Sequence, residues 1–120
     1  MGLDQYAYYR SSENPDTTEW INGEEFAYWR KHPNLHGWMQ KLWIEKTGGG
    51  KEFNGIELEL SCQDLERLEE AVKNKLLPTT TGFFFGNNSD DEYLDYDLTF
   101  IAFAKMYMFL GLKVFYNSSW

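Results

Sequence analysis

The stretch IELELSCQDLERLEEAVKNKL, residues 56–76, decides the fold. Its first residues alternate. Ile56, Leu58 and Leu60 fall on one face and Glu57 and Glu59 on the other, which is the period of a half-buried strand. From Ser61 the period changes. Leu65, Leu68, Val72 and Leu76 recur at helical spacing, with Glu66, Arg67, Glu69, Glu70, Lys73 and Lys75 outside them, which predicts an amphipathic helix over 63–76. Ser61-Cys-Gln-Asp64 marks the boundary, because a serine hydroxyl can accept from the N–H three residues on and the acid there can return the bond. A strand running straight into a helix, each with one apolar face, needs a second layer to cover both.

Upstream, residues 3–10 read as a tyrosine-rich strand. Leu3, Gln5, Ala7 and Tyr9 share one face; Asp4, Tyr6, Tyr8 and Arg10 share the other. Residues 11–18 form a polar loop. Asn22, with Glu25 three residues on, reads as a capped helix start carrying Phe26, Tyr28 and Trp29. Pro33 then either kinks that helix or opens a second one, which Leu35, Trp38, Met39 and Leu42 continue to Thr47-Gly-Gly-Gly. Downstream, residues 77–86 read as an irregular segment or short strand, 92–110 as a helix stopped by Gly111, and 113–117 as a closing strand. The expectation is one domain, residues 1–120, of α+β class: a small two-layer sandwich of three to four strands against about three helices. The last helix is apolar nearly all round, so it is expected to be covered on more than one side, and residues 98–112 are the expected contact of a homodimer.

Composition limits the chemistry. Eleven basic residues against nineteen acidic give a net charge of −8, which disfavours direct nucleic-acid binding through clustered Lys and Arg. Aromatic residues make up 18% of the chain, each worth on the order of 1.5–3 kcal/mol when fully buried. One cysteine, Cys62, rules out an intramolecular disulfide, a four-cysteine zinc site and a CxxC redox pair. The opening MGLDQYAYYR lacks a basic start followed by an apolar run, so no secretory signal is expected and the expected compartment is the cytoplasm. The run LTFIAFAKMYMFLGL, residues 98–112, is shorter than the roughly 20 residues a spanning helix needs and is broken by Lys105 and Gly111; no membrane association is expected.

No catalytic motif stands out. GxxxxGK[ST], GxGxxG, GxSxG and HExxH are absent. His32 and His36 are four apart, as two ligands on one helical face would be, but Pro33 lies between them and no third ligand is apparent; no metal and no cofactor is expected. The alternative is one surface histidine and one packed under Trp29 and Trp38. Trp29-Arg30-Lys31 is the most basic spot in the acidic chain and, beside Trp38, is a candidate anion or base-stacking site; the plain alternative is a solvated face. Thr79 and Phe84, in the segment TTTGFFFG, are candidate pocket-lining residues, or core filling. Asp91 and Glu92 are candidate ligand or general-acid partners of His36, against a plainer role in capping the last helix.

Five blocks carry a resemblance: MGLDQY at residues 1–6; Glu25 with Tyr28-Trp29-Arg30-Lys31 and Leu35-His36-Gly37-Trp38; Leu76-Leu77-Pro78-Thr79 with GFFFG at 82–86; Asp91-Glu92-Tyr93; and Tyr116 with Ser118-Ser119-Trp120. Together they span nearly the whole chain, and it resembles small uncharacterised proteins encoded by tailed bacteriophages and prophages. The family pattern has histidine at the position of His36, other residues at that of His32, and often tyrosine where Asp90 stands here. The resemblance implies a non-enzymatic accessory protein acting in the host cytoplasm, binding a host protein or sequestering a small anionic or nucleotide-like ligand. The expected ligand-binding residues are Trp29, Arg30, Lys31, His36, Trp38, Thr79, Phe84, Asp91 and Glu92. Two other readings compete: a small enzyme on nucleotides or phosphoesters with His36 as base, and an acidic mimic of nucleic acid that occupies a basic groove.

Overall fold

The computed structural model describes residues 3–10, 24–78 and 90–120, the last from Tyr93 onward with side chains. The chain runs β1 (Asp4–Arg10), β2 (Glu24–Trp29), α1 (Pro33–Thr47), β3 (Leu58–Leu60), α2 (Cys62–Lys73), α3 (Asp90–Phe109) and β4 (Lys113–Ser119). The polar loop at 11–18, the cap Asn22 and the segment at 79–86, with Thr79 and Phe84, lie outside the described residues, as do the side chains of Asp91 and Glu92.

The four strands form one sheet in the order β2-β1-β4-β3, every neighbouring pair antiparallel. Ala7, Ala27, Trp29, Leu58, Leu60, Val114 and Tyr116 from the sheet join Leu35, Met39, Leu42 and Trp43 of α1, Leu65, Leu68 and Val72 of α2, and Phe100, Ile101 and Ala104 of α3 in one core. The expected α+β architecture, helices on one face of a small sheet, is therefore what the chain forms.

The segment 56–76 folds largely as its pattern requires. Leu58 and Leu60 are buried and Glu57 and Glu59 exposed. Ser61 and Asp64 close a reciprocal capping box, Asp64 N–H donating to Ser61 Oγ (3.1 Å) and Ser61 N–H to Asp64 Oδ2 (2.8 Å). Burial works against ionisation at Asp64, but Lys46 and the Ser61 donors outweigh it and hold the carboxyl below its usual range. The apolar stripe is one residue shorter than expected. Lys75 adopts a left-handed φ of +56°, the chain turns, and Leu77 is buried while Leu76 stays 67% exposed.

Residues 24–29 correct the expectation of a helix: they are strand β2, paired with β1. A cap contributes about 1 kcal/mol, whereas pairing satisfies a whole strand of backbone groups and lets the aromatic side chains reach the core. Pro33 then opens α1 at its first turn, the second of the two arrangements its position allowed, with His32 before it at φ −128°, ψ 76°. The register of β1 and β2 slips between Ala7 and Tyr8, so that Phe26 is an extra residue in β2. Both Ala27 and Phe26 consequently face the helices, Phe26 against Phe100 (5.6 Å between ring centres) and Tyr107 (4.9 Å), and Glu25 turns to the opposite side opposite Tyr8.

Helix α3 also departs from expectation. Asp97, Phe100, Ile101 and Ala104 are buried, but Asp95, Tyr96, Thr99, Ala102, Phe103, Met106 and Phe109 remain exposed along one face, so the described part of the helix is covered on one side.

Candidate functional site

Two regions gather the residues that carry chemistry. The first is a buried polar seam. The connection from β2 to α1 contains Trp29, Arg30, Lys31 and His32, and α3 clasps it. Trp29 Nε1–H donates to Asp97 Oδ1 (2.9 Å) and His32 Nε2 meets Asp97 Oδ2 (2.7 Å); all three side chains are buried. Tyr93 stacks on the His32 ring (4.9 Å) and its hydroxyl exchanges hydrogen bonds with the Arg30 backbone, accepting from N–H (3.2 Å) and donating to O (3.0 Å). Tyr96 Oη accepts from the Tyr28 N–H (2.9 Å).

From the other side Gln5 reads the same peptide. Its Oε1 accepts from His32 N–H (2.7 Å), and its Nε2 donates to His32 O (3.1 Å) and to Tyr116 Oη (3.0 Å). Burial pushes the Tyr116 phenol far up, so it stays protonated. His36 Nδ1 in turn lies 2.9 Å from Tyr116 Oη. Burial lowers the His36 pKa to about 4, and its ring stacks on Phe53 (5.2 Å).

This seam is enclosed. Both histidines are buried, which rules out the alternative that put one of them at the surface. With Nδ1 held by a phenol and the ring covered, His36 is poorly placed to take a proton from a substrate. Among the described residues no group of three or more His, Cys, Asp or Glu could hold a metal ion.

The sequence-predicted site residues separate accordingly. Trp29 and His36 are inside, Trp38 is half-buried on α1, and Arg30 and Lys31 are exposed in the connection. Trp29 and Arg30 belong to a strand end and its following turn, not to a cationic helix. Arg30 Nε lies 3.7 Å from Asp4 Oδ1. The tyrosines that sequence reasoning left without a role lie elsewhere.

The second region is the outer face of the sheet. Strand alternation turns Tyr6, Tyr8 and Arg10 of β1 away from the helices, beside Tyr28 of β2 and Phe115 and Asn117 of β4. The Tyr6 and Tyr28 rings are 5.3 Å apart, those of Tyr8 and Phe115 5.7 Å. Arg10 lies over Tyr8 (5.2 Å) and Phe115 (4.9 Å), and both its terminal nitrogens reach Glu57 (2.9 and 2.7 Å). Carboxylates anchor the phenols: Tyr8 donates to Glu57 (2.5 Å) and Tyr28 to Asp4 (2.7 Å). Burial, then the Glu57 bond, pushes the Tyr8 pKa up to about 12; the Asp4 bond does the same at Tyr28. Between these groups a shallow, open groove of about 390 Å³ is lined by Tyr6, Tyr8, Glu25, Gly55, Asn117 and Ser119.

No protein-family model matches the chain, and neither curated proteins nor solved structures match it. No helix among the described residues is long and apolar enough to cross a membrane.

Proposed function

We propose that this protein works by binding a partner protein, and that its recognition face is the outer surface of the sheet. The observation that carries the reading is the groove between Tyr6, Tyr8 and Glu25, two aromatic walls and a carboxylate on a sheet backed by one continuous core. Aromatic side chains with a polar end supply contact area at low entropic cost, which suits a recognition surface. The enclosed state of His36 supports binding over the phosphoester-hydrolase alternative. The charged residue among the described lining residues is Glu25, and Arg30 is drawn to Asp4, which supports a protein partner over the small anionic ligand. On the resemblance to phage-encoded proteins, the partner is a protein of the infected cell, met in its cytoplasm.

The test is capture from host lysate by the wild-type chain and by a Tyr6→Ala/Tyr8→Ala variant. A species held by the wild type and lost by the variant is the expected result. Equal retention by both, or a thermal shift with nucleotides but no protein capture, would remove the reading.

A second reading concerns α3. Its exposed face runs from Asp95 through Tyr96, Thr99, Ala102, Phe103, Met106 and Phe109, with Asp95 as its charged residue at one end, and continues into Leu110. We propose that two copies pair through it, antiparallel, which sets Asp95 of one copy towards the Lys113 end of the other and opposes the helix dipoles.

A further inference from the structure

We infer that the groove on the outer sheet face receives a cationic side chain, the guanidinium or ammonium of an arginine or lysine on a peptide of the partner. This deepens the proposed partner-binding reading and rests on it. The sheet face already contains such a contact. Beside the groove, Arg10 sits over two aromatic rings, Tyr8 and Phe115, and is held by a carboxylate, Glu57. The groove repeats that set of groups: two rings, Tyr6 and Tyr8, and a carboxylate, Glu25. Its described lining residues include no Lys or Arg. Ring faces attract cations through their quadrupole, and a carboxylate alongside adds charge and a hydrogen-bond acceptor.

The bulge in β2 makes this arrangement. Without the extra residue Phe26, strand alternation would turn Glu25 towards the helices and Phe26 outward. With it, Glu25 lies opposite Tyr8 on the groove side, and its charge, with that of Asp4, adds to burial in raising the Tyr6 pKa. Asp4 in turn engages Tyr28 and Arg30, and Glu25 supplies the negative charge among the groove's described lining residues. Asn117 and Ser119 add neutral polar groups suited to a peptide's backbone. The acidic balance of the whole chain, −8, draws a basic partner towards the molecule from a distance.

The experiment is a titration of the full chain, followed by amide NMR shifts, with four peptides identical except for a central Arg, Lys, Gln or Glu. The Arg and Lys peptides are expected to shift Tyr6, Tyr8, Glu25 and Asn117 saturably, and the Gln peptide to bind about tenfold more weakly or worse. Glu25→Gln should weaken the Arg peptide by about tenfold while leaving the rest of the spectrum, and so the fold, unchanged. Equal binding of the Gln or Glu peptide, no binding of any peptide, or indifference to Glu25→Gln would overturn the inference. The two readings fail separately. Lysate capture that is lost in Tyr6→Ala/Tyr8→Ala but untouched by Glu25→Gln overturns the cationic contact and leaves partner binding standing. Capture insensitive to all three substitutions overturns both.

Discussion

Asp97 accepts from the Trp29 indole and meets the His32 imidazole, and it does so 1% exposed. Removing it leaves two polar groups buried without their acceptor, a far larger penalty than losing an exposed pair. Asp97→Ala should cost about 3 kcal/mol of unfolding free energy, read from urea midpoints, and a loss under about 1 kcal/mol would show that the seam does not hold the β2–α1 connection. His36 provides a pH signature. Its folded pKa near 4 lies below the ordinary value of 6.5, so the unfolded chain takes up a proton that the fold refuses. The contribution is complete above pH 6.5 and is lost as pH falls towards 4, by on the order of 3 kcal/mol. His36→Gln keeps a hydrogen-bonding partner for Tyr116 and should flatten the stability profile in that window; an unchanged slope would assign the acid sensitivity to other groups.

At the scale of elements, the helices depend on their ends. Ser61→Ala removes one half of the α2 capping box and should lower stability by about 1 kcal/mol, or about 4 °C in Tm. Gly48 ends α1 at φ +84°, its N–H donating to Ile44 O (2.7 Å), and a Cβ there would meet nothing within 4 Å. The penalty of Gly48→Ala is therefore backbone strain alone, about 1 kcal/mol by thermal melting; no change would show that the turn relaxes. Strand β2 teaches a different lesson. Its ends carry a legible capping signal, yet pairing with β1 prevails, because a cap satisfies one or two donors and a strand partner satisfies a row of them.

At the scale of the whole molecule, the exposed α3 face departs from an ordinary solvated surface. Phe109 is 91% exposed and Leu110 65%. A helix of twenty residues is about 30 Å long, enough to present a continuous stripe to a second copy. Light scattering behind size exclusion should give about twice 14.2 kDa at NMR concentrations, and Phe103→Asp should return a folded monomer. A wild-type monomer under those conditions would remove the pairing. The same variant should leave lysate capture through the sheet face intact, since α3 and the groove lie on opposite sides of the sheet.

Local pattern alone determined the β3–α2 unit, the strand at each end of the sheet's centre, the apolar last helix and the α+β class, because alternation, helical spacing and caps act between residues a few positions apart. It also determined that Tyr6, Tyr8 and Arg10 share a face. Which face of β1 the helices cover, and so which tyrosines meet solvent, was decided only when β2 and β4 closed on it. Gln5 and Tyr116, 111 residues apart, became hydrogen-bond partners through the same closure, and the Phe26 bulge turned Glu25 outward through a pairing no local window contains. The physical reason is common to all three: backbone ladders and core burial are satisfied between distant segments, and the free energy they release exceeds the roughly 1 kcal/mol preferences that neighbouring residues express.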